Sequence, residues 1–359
     1  MHIKMWYYKV FLLITLGWAV LFESPHTLAS TLFPEDKWQR IYPPESAGFS
    51  SEKLKIANNL FNEMSSNAFI VVLNGRLLVA WGNIKEKLDV YSVRKSFLNA
   101  LLGIHVSNGS INLLKTLGEL GIDDKGGLTE QEKTARIIDL IRSRSGVYHK
   151  AAYETKKIKR YRPRRDQFKP DRHWFYNNWD FNTLGGIFQK LVKKNLFLEF
   201  KHRIADPVQM QDFIVTDGRF HKENVSWFPA YPFRMSARDM ARFGLLFANW
   251  GRWKQQQIVP RKWVEKSTRT YSITNRKNRK SVGYGYMWWT TRAGKRHFKN
   301  RLGDDAFSAR GNGGQYIIIA PSLDIVVVHT ANWKLTGQKV RAGKVGKLLK
   351  AVLDAKIEK

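Results

Sequence analysis

Two β-hairpins at opposite ends of the chain most constrain what it can fold into. Near the amino end, "AFIVVLNGRLLVAWGN" sets two apolar, β-branched runs on either side of Asn74-Gly75. That dipeptide suits the two positive-φ positions of a tight hairpin turn. Near the carboxyl end, "GQYIIIA" and "DIVVVHTA" flank a turn at Pro321-Ser322-Leu323. A third β-type run, "GYGYMWWTT", lies upstream of them. The simplest assembly is one antiparallel sheet built from both ends of the chain. Helices bracket the strands. Ser50 caps a segment with Leu54, Ile56, Ala57, Leu60 and Phe61 at helical spacing, and Val345, Leu348, Leu349, Val352 and Leu353 share a face of the last segment. The interior reads as helix and loop. "TEQEKTARIIDLIRSRSG" has the pattern of one capped amphipathic helix ending at Gly146. "WDFNTLGGIFQKLV" is another, and "MSARDMARFGLLFANWG" opens with a capping box of Ser236 and Asp239. The predicted class is α+β: an antiparallel β-sheet flanked by N- and C-terminal helices, with a mostly helical inserted subdomain. The α/β part covers about 38–106 and 282–359, and the helical part about 107–281.

The first residues have a different character. Lys4 and Lys9 precede an uncharged, largely apolar run from Val10 to Phe22, followed by Pro25 and small residues up to Ala29 and Ser30. This is the layout of a secretory signal peptide over residues 1–29, cut after Ala29. The run falls short of the roughly 20 apolar residues a membrane span needs, so a retained anchor is the lesser expectation. The mature domain is then 30–359, exported to the periplasm or the exterior. The absence of cysteine excludes disulfides, thiolate metal sites and a cysteine nucleophile. A formal net charge of +31 predicts attraction to polyanions. The basic residues are spread through the chain, with local runs at Lys156–Arg165 and Thr274–Lys280, and no nucleic-acid motif accompanies them. Anionic cell-envelope polymers are therefore the expected electrostatic contact, and no specific nucleic acid is.

Three short segments carry the candidate chemistry. In "YSVRKSFLNALLGI", Ser92 stands three residues before Lys95 at the start of an apolar helix. That spacing puts both on one helix face. A lysine in a dry cleft loses its proton readily and can help activate a hydroxyl. A serine there is equally an ordinary helix cap, and Ser50 with Lys53 repeats the spacing where capping suffices. The second segment holds Tyr176-Asn177-Asn178. A phenol beside an ammonium is expected to have a lowered pKa and to act as a general base, with Asn178 bonding lysine and substrate. A plain turn before a helix is the alternative. The third is "ARGNGGQYIIIAP", where Gly311, Gly313 and Gly314 would let a carbonyl approach backbone N–H groups, as an oxyanion hole requires.

These elements, in this order, resemble the serine β-lactamase-like superfamily: class C β-lactamases, DD-peptidases and related esterases and amidohydrolases. "MSARDMARFG", "NWGRWKQQQIVPRKWV", "YGYMWWT" and "GNGGQYIIIAPSLDIVVVHT" are similar to the family's downstream segments, so the resemblance runs from about Trp38 to the C-terminus. It implies a β-lactamase/transpeptidase-like fold and an acyl-serine mechanism without metal or organic cofactor. Ser92 would be the nucleophile, Lys95 its activating lysine, Tyr176 the general base and Asn178 the polar partner. Gly311, Asn312 and Gly313 would form the oxyanion segment, with the Asn312 N–H joining that of Ser92. One departure matters. Where the family carries Lys-Thr-Gly or His-x-Gly, this chain has Ala309-Arg310-Gly311. The missing cation binds a substrate carboxylate, so an esterase or amidohydrolase is expected more than an efficient β-lactamase, unless Arg310 substitutes. The substrate would be a small-molecule or peptide ester or amide, and the protein a monomer or weak oligomer. The competing reading is a non-catalytic envelope-binding protein on the same fold. Asp180 is expected to be a structural hydrogen-bonder. Tyr153, Trp288 and Trp289 are core aromatics or the lining of an acyl pocket.

Overall fold

The computed structural model describes residues 32–274, 282–291, 297, 298, 300 and 302–358. The signal-peptide segment and nearly all of the Thr274–Lys280 run lie outside them. Helix α1 (Ser51–Asn62) leads to strands β1 (Ala68–Leu73) and β2 (Arg76–Gly82), then α2 (Arg94–Ser107). The middle of the chain contributes α3 (Asn178–Val192) and α4 (Ala237–Ala248) among shorter helices. Among the described residues, six strands of the main sheet follow: β3 (Ser272–Ile273), β4 (Gly283–Tyr284), β5 (Trp289–Thr290), β6 (Phe307–Gly311), β7 (Gln315–Ala320) and β8 (Ile325–Thr330). Helix α5 (Ala342–Leu353) closes the order.

The eight strands form one antiparallel sheet in the order β2-β1-β8-β7-β6-β5-β4-β3. The two ends of the chain meet within it, where Ala68 of β1 pairs with Thr330 of β8. Asn74 and Gly75 take φ of 47° and 77° in the first hairpin, the geometry their identities predict. Side chains alternate across the sheet. Phe69, Val71, Ile318 and Val327 face a layer containing Leu54, Ala57, Leu348 and Leu349 of α1 and α5. Ile70, Val72, Ile317 and Val328 face the helical body. Helix α4, from the stretch assigned to the helical part, packs directly on β1, β7 and β8.

Several local expectations are corrected. The segment after Thr129 is two short helices, Glu130–Lys133 and Ile137–Ile141. They part because Arg136 is extended and bridges to Thr116, while the Asp139 carboxylate accepts its N–H and starts a new helix. "GYGYMWWTT" is a hairpin, since Gly285 N–H donates to Trp288 O and Met287 has φ of 58°. Ser236 does cap α4, but Asp239 does not reach back to it. Its carboxylate accepts the backbone N–H groups of Gln211, Asp212 and Phe213, clamping a distant loop. Ile56 is exposed, because α1 turns only the Leu54–Ala57–Phe61 stripe to the sheet.

Burial fixes the expected mutational contrast. Leu348→Ala should cost about 2–5 kcal/mol, whereas Ile56→Ala should stay within about 0.5 kcal/mol. Denaturant unfolding of the two variants checks this.

Candidate active site

Ser50 and Ser92 share a sequence spacing but not an environment. Ser50 Oγ accepts the Lys53 backbone N–H at 3.2 Å, as a helix cap does. Ser92 sits in a single 3-10 turn, Tyr91–Val93, ahead of α2, and no side-chain cap closes either element. Its hydroxyl instead meets the Lys95 side chain, Nζ to Oγ 2.9 Å. The turn is strained at Tyr91, whose φ of 49° is uncommon for a large side chain. Such strain persists only where the surroundings hold it. Here the Tyr91 ring stacks on Tyr153 and leans on Trp333, and Val90 N–H donates to Phe233 O.

Lys95 is 1 % exposed. Its Nζ lies 2.9 Å from Tyr176 Oη and 3.1 Å from Asn178 Oδ1 as well as beside Ser92, and 4.6 Å from the centroid of the Phe181 ring. Burial, and then the neighbouring Arg94, hold its ammonium well below the usual lysine range. The start of α3 delivers the other partners. Asn177 caps the helix through Trp179 N–H, and its amide also bonds Val147 O and the Asp180 carboxyl. Asn178, the first helical residue, is oriented by its Nδ2 bond to Tyr153 O at 2.7 Å. Tyr176 differs from expectation. Burial pushes its phenol up to about 12, against weaker downward pulls from Ser92 and Arg94. Burial outweighs those pulls, so the phenol is held toward its neutral form beside a lysine whose ammonium is likewise disfavoured.

The glycine segment closes the site from the sheet. Gly311 ends β6, and Asn312 to Gly314 make the turn into β7. Three bonds fix that turn. Val340 N–H donates to Gly313 O, His329 Nδ1–H to Gly314 O, and Gln315 Nε2 to Ala331 O. Burial pushes His329 down to about 4, so its neutral ring donates there and accepts from Ser66 Oγ. A Cβ on Gly311 would lie 2.3 Å from Val90 O, so only glycine lets the strand abut the turn that presents Ser92.

The Beta-lactamase family model matches residues 61–350. The chain belongs to the β-lactamase family. By class it is a serine hydrolase. Solved structures share the fold at low identity. A family VIII carboxylesterase matches at 12% identity over 86% of this chain and 99% of its own, with a TM-score of 0.63. The D-alanine carboxypeptidase AmpC from Burkholderia cenocepacia matches at 15% over 85% of this chain and 100% of its own, with a TM-score of 0.57. A β-lactamase from Mycobacterium bovis matches at 14% over 84% and 99%, with a TM-score of 0.59. A search of curated proteins returned no significant match.

Against the β-lactamase-family pattern, the third motif is the unusual part. Ala309 pairs with Ile317 and is buried on the helical side of the sheet. Arg310 alternates to the other face, where Nε donates to Ser308 Oγ and the guanidinium lies over Phe298 and Trp289. Of the aromatics weighed for an acyl pocket, Trp289 stacks on Tyr176 at 5.5 Å and Tyr153 touches Tyr91. Trp288 is core, fully buried with Nε1 on Asn99 Oδ1. Asp180 is buried and bonded to Ser145 and Asn177, and burial pushes its carboxyl well up.

Sequence reasoning passed over Arg94, Phe181 and the Val90–Gly311 contact. A signal existed for Arg94: every residue from Arg94 to Gly103 is buried, and the apolar run around it already marks a helix without a polar face. Gly311→Val should push β6 off the Ser92 turn. Misplacement by an ångström typically costs about 100-fold, so the rate at which a fluorophosphonate labels the protein should fall by that order while circular dichroism stays native. An unchanged rate would show that the contact does not position the site.

Proposed function

We propose that the protein is an exported hydrolase that cleaves an ester or amide bond through an acyl-Ser92 intermediate. The observation that carries this is the enclosed lysine amine, bonded at once to Ser92, Tyr176 and Asn178. Neutral Lys95 accepts the Ser92 proton as Oγ attacks the substrate carbonyl carbon. The backbone N–H groups of Ser92 and Asn312 receive the oxyanion. Tyr176, neutral at its raised pKa, donates its proton to the departing alkoxide or amine and is replenished from the Lys95 ammonium. Water then gives its proton back through the same pair and attacks the acyl carbonyl. Ser92 leaves with its proton restored, and the carboxylic product departs.

The missing third-motif cation supports a substrate that carries no carboxylate at that position. A site built around such a cation would discriminate by it. Ala309 offers no charge, and the Arg310 guanidinium is engaged by Ser308 Oγ and the Phe298 and Trp289 rings. Simple esters and neutral amides therefore fit better than β-lactams, in line with the esterase named among the structural neighbours. Export rests on the amino-terminal pattern. The net charge of +31 favours contact with anionic envelope polymers.

Intact-protein mass after exposure to a fluorophosphonate, with Ser92→Ala in parallel, tests the reading. One adduct on the wild type and none on the variant is expected, together with turnover of a p-nitrophenyl ester and little or no penicillin turnover. A folded wild type that takes up no probe would remove the acyl-serine mechanism and favour a binding role. Rapid penicillin turnover would overturn the substrate assignment. The same spectra read the amino terminus: loss of Met1–Ala29 is expected in exported material, and an intact start contradicts cleavage.

A further inference from the structure

Arg94 stands between Ser92 and Lys95 in sequence, and the chemistry above does not require its side chain. That side chain is fully buried. Nη2 donates to Asn182 Oδ1 at 3.3 Å, and the guanidinium carbon lies 4.6 Å from the centre of the Tyr231 ring and 5.6 Å from that of Tyr153. Nε meets no acceptor among the described residues. The titratable groups around it are phenols: Tyr153 and Tyr176 from the segments before α3, and Tyr231 from the segment before α4. Burial pushes the hydroxyls of Tyr153, Tyr176 and Tyr231 all upward, so none is a countercharge. The neighbouring carboxyls are committed elsewhere. Asp180 bonds Ser145 and Asn177 and is held toward its neutral form. Asp89 pairs with Lys334 at 2.7 Å and Arg219 at 3.8 Å.

An uncompensated buried guanidinium is costly to keep, and it does not shed its proton. The next residue, Lys95, is also buried. The two head groups reach the same face of α3: Lys95 Nζ lies 3.1 Å from Asn178 Oδ1, and Arg94 Nη2 lies 3.3 Å from Asn182 Oδ1 one turn further on. Cations so placed repel each other through a medium that screens poorly. Only the lysine can relieve that repulsion, by releasing a proton. We propose that Arg94 is a positioning residue that acts through its charge: its fixed guanidinium keeps Lys95 in the neutral amine form that accepts the Ser92 proton. This role rests on the reading of Ser92 as nucleophile. It also gives the charge a use in a family site whose third-motif cation is absent.

The test is the pH dependence of phosphonylation by a fluorophosphonate, followed by intact mass for wild type, Arg94→Met and Arg94→Gln. Removing the neighbouring positive charge makes the Lys95 ammonium easier to form. More alkaline solution is then needed to obtain the amine. Both variants should therefore move the acid limb of the rate profile upward by about one pH unit and approach the wild-type rate on the alkaline side. Glutamine retains a donor for Asn182, so a wild-type profile in Arg94→Gln alone would assign the effect to that hydrogen bond and overturn the proposal. A folded variant with an unmoved limb, or a rate lowered equally at every pH, would overturn it too. So would failure of both variants to fold, which would make Arg94 a packing residue. A wild type that is not labelled at all would instead strike the nucleophile reading, and this proposal with it.

Discussion

A buried lysine with no carboxylate partner among the described residues organises this site. Lys95 has three oxygen partners, two aromatic faces and a guanidinium as its neighbour in sequence, and almost no contact with solvent. Burying a charged ammonium in such a place is unfavourable by several kcal/mol. Burial therefore favours the neutral amine, the form able to accept a proton. The enclosure is assembled from distant segments, the turn before α2 and the start of α3, with the end of β6 held against that turn.

The architecture explains how those segments are held. The central sheet pairs the first strands with the last, so its covering layers tie both ends of the chain together. Its other face carries α4 and the helical body, and β6 runs along that junction to reach the Ser92 turn. At the contact, Gly311 meets the carbonyl of Val90 with no room for a side chain. The adjoining turn is pinned by a neutral buried histidine, a glutamine and a backbone bond. The turn that contains Asn312, the proposed oxyanion donor, is thereby held by three bonds on its neighbours.

Much of this was legible in the sequence because it is local or periodic. The Asn74-Gly75 hairpin, the cap at Ser50 and the apolar face of α5 are decided within a few residues. Ser92, Lys95, Tyr176 and Asn178 could be singled out because reactive residue types stand at helix starts. Their convergence is tertiary and was available only through resemblance. What stayed hidden depends on partners far along the chain. Arg136 is extended because it pairs with Thr116, which breaks an otherwise uniform helical pattern. Asp239 serves a loop rather than its own cap. The direction of the Tyr176 shift reverses because burial disfavours the phenolate more than its neighbours favour it. That Arg94 has no carboxylate partner among the described residues was unreadable, since pairing is a property of the fold and not of the motif.

The most direct measurement is the ionisation of Lys95 itself, by heteronuclear NMR of protein labelled at the lysine side-chain ε-carbon, with Lys95→Met to assign the signal. A resonance that titrates well below the ordinary lysine value of about 10.4 is the predicted result. A Lys95 signal that titrates in the ordinary lysine range would contradict it, because the buried lysine would then be an ammonium and could not take the proton from Ser92.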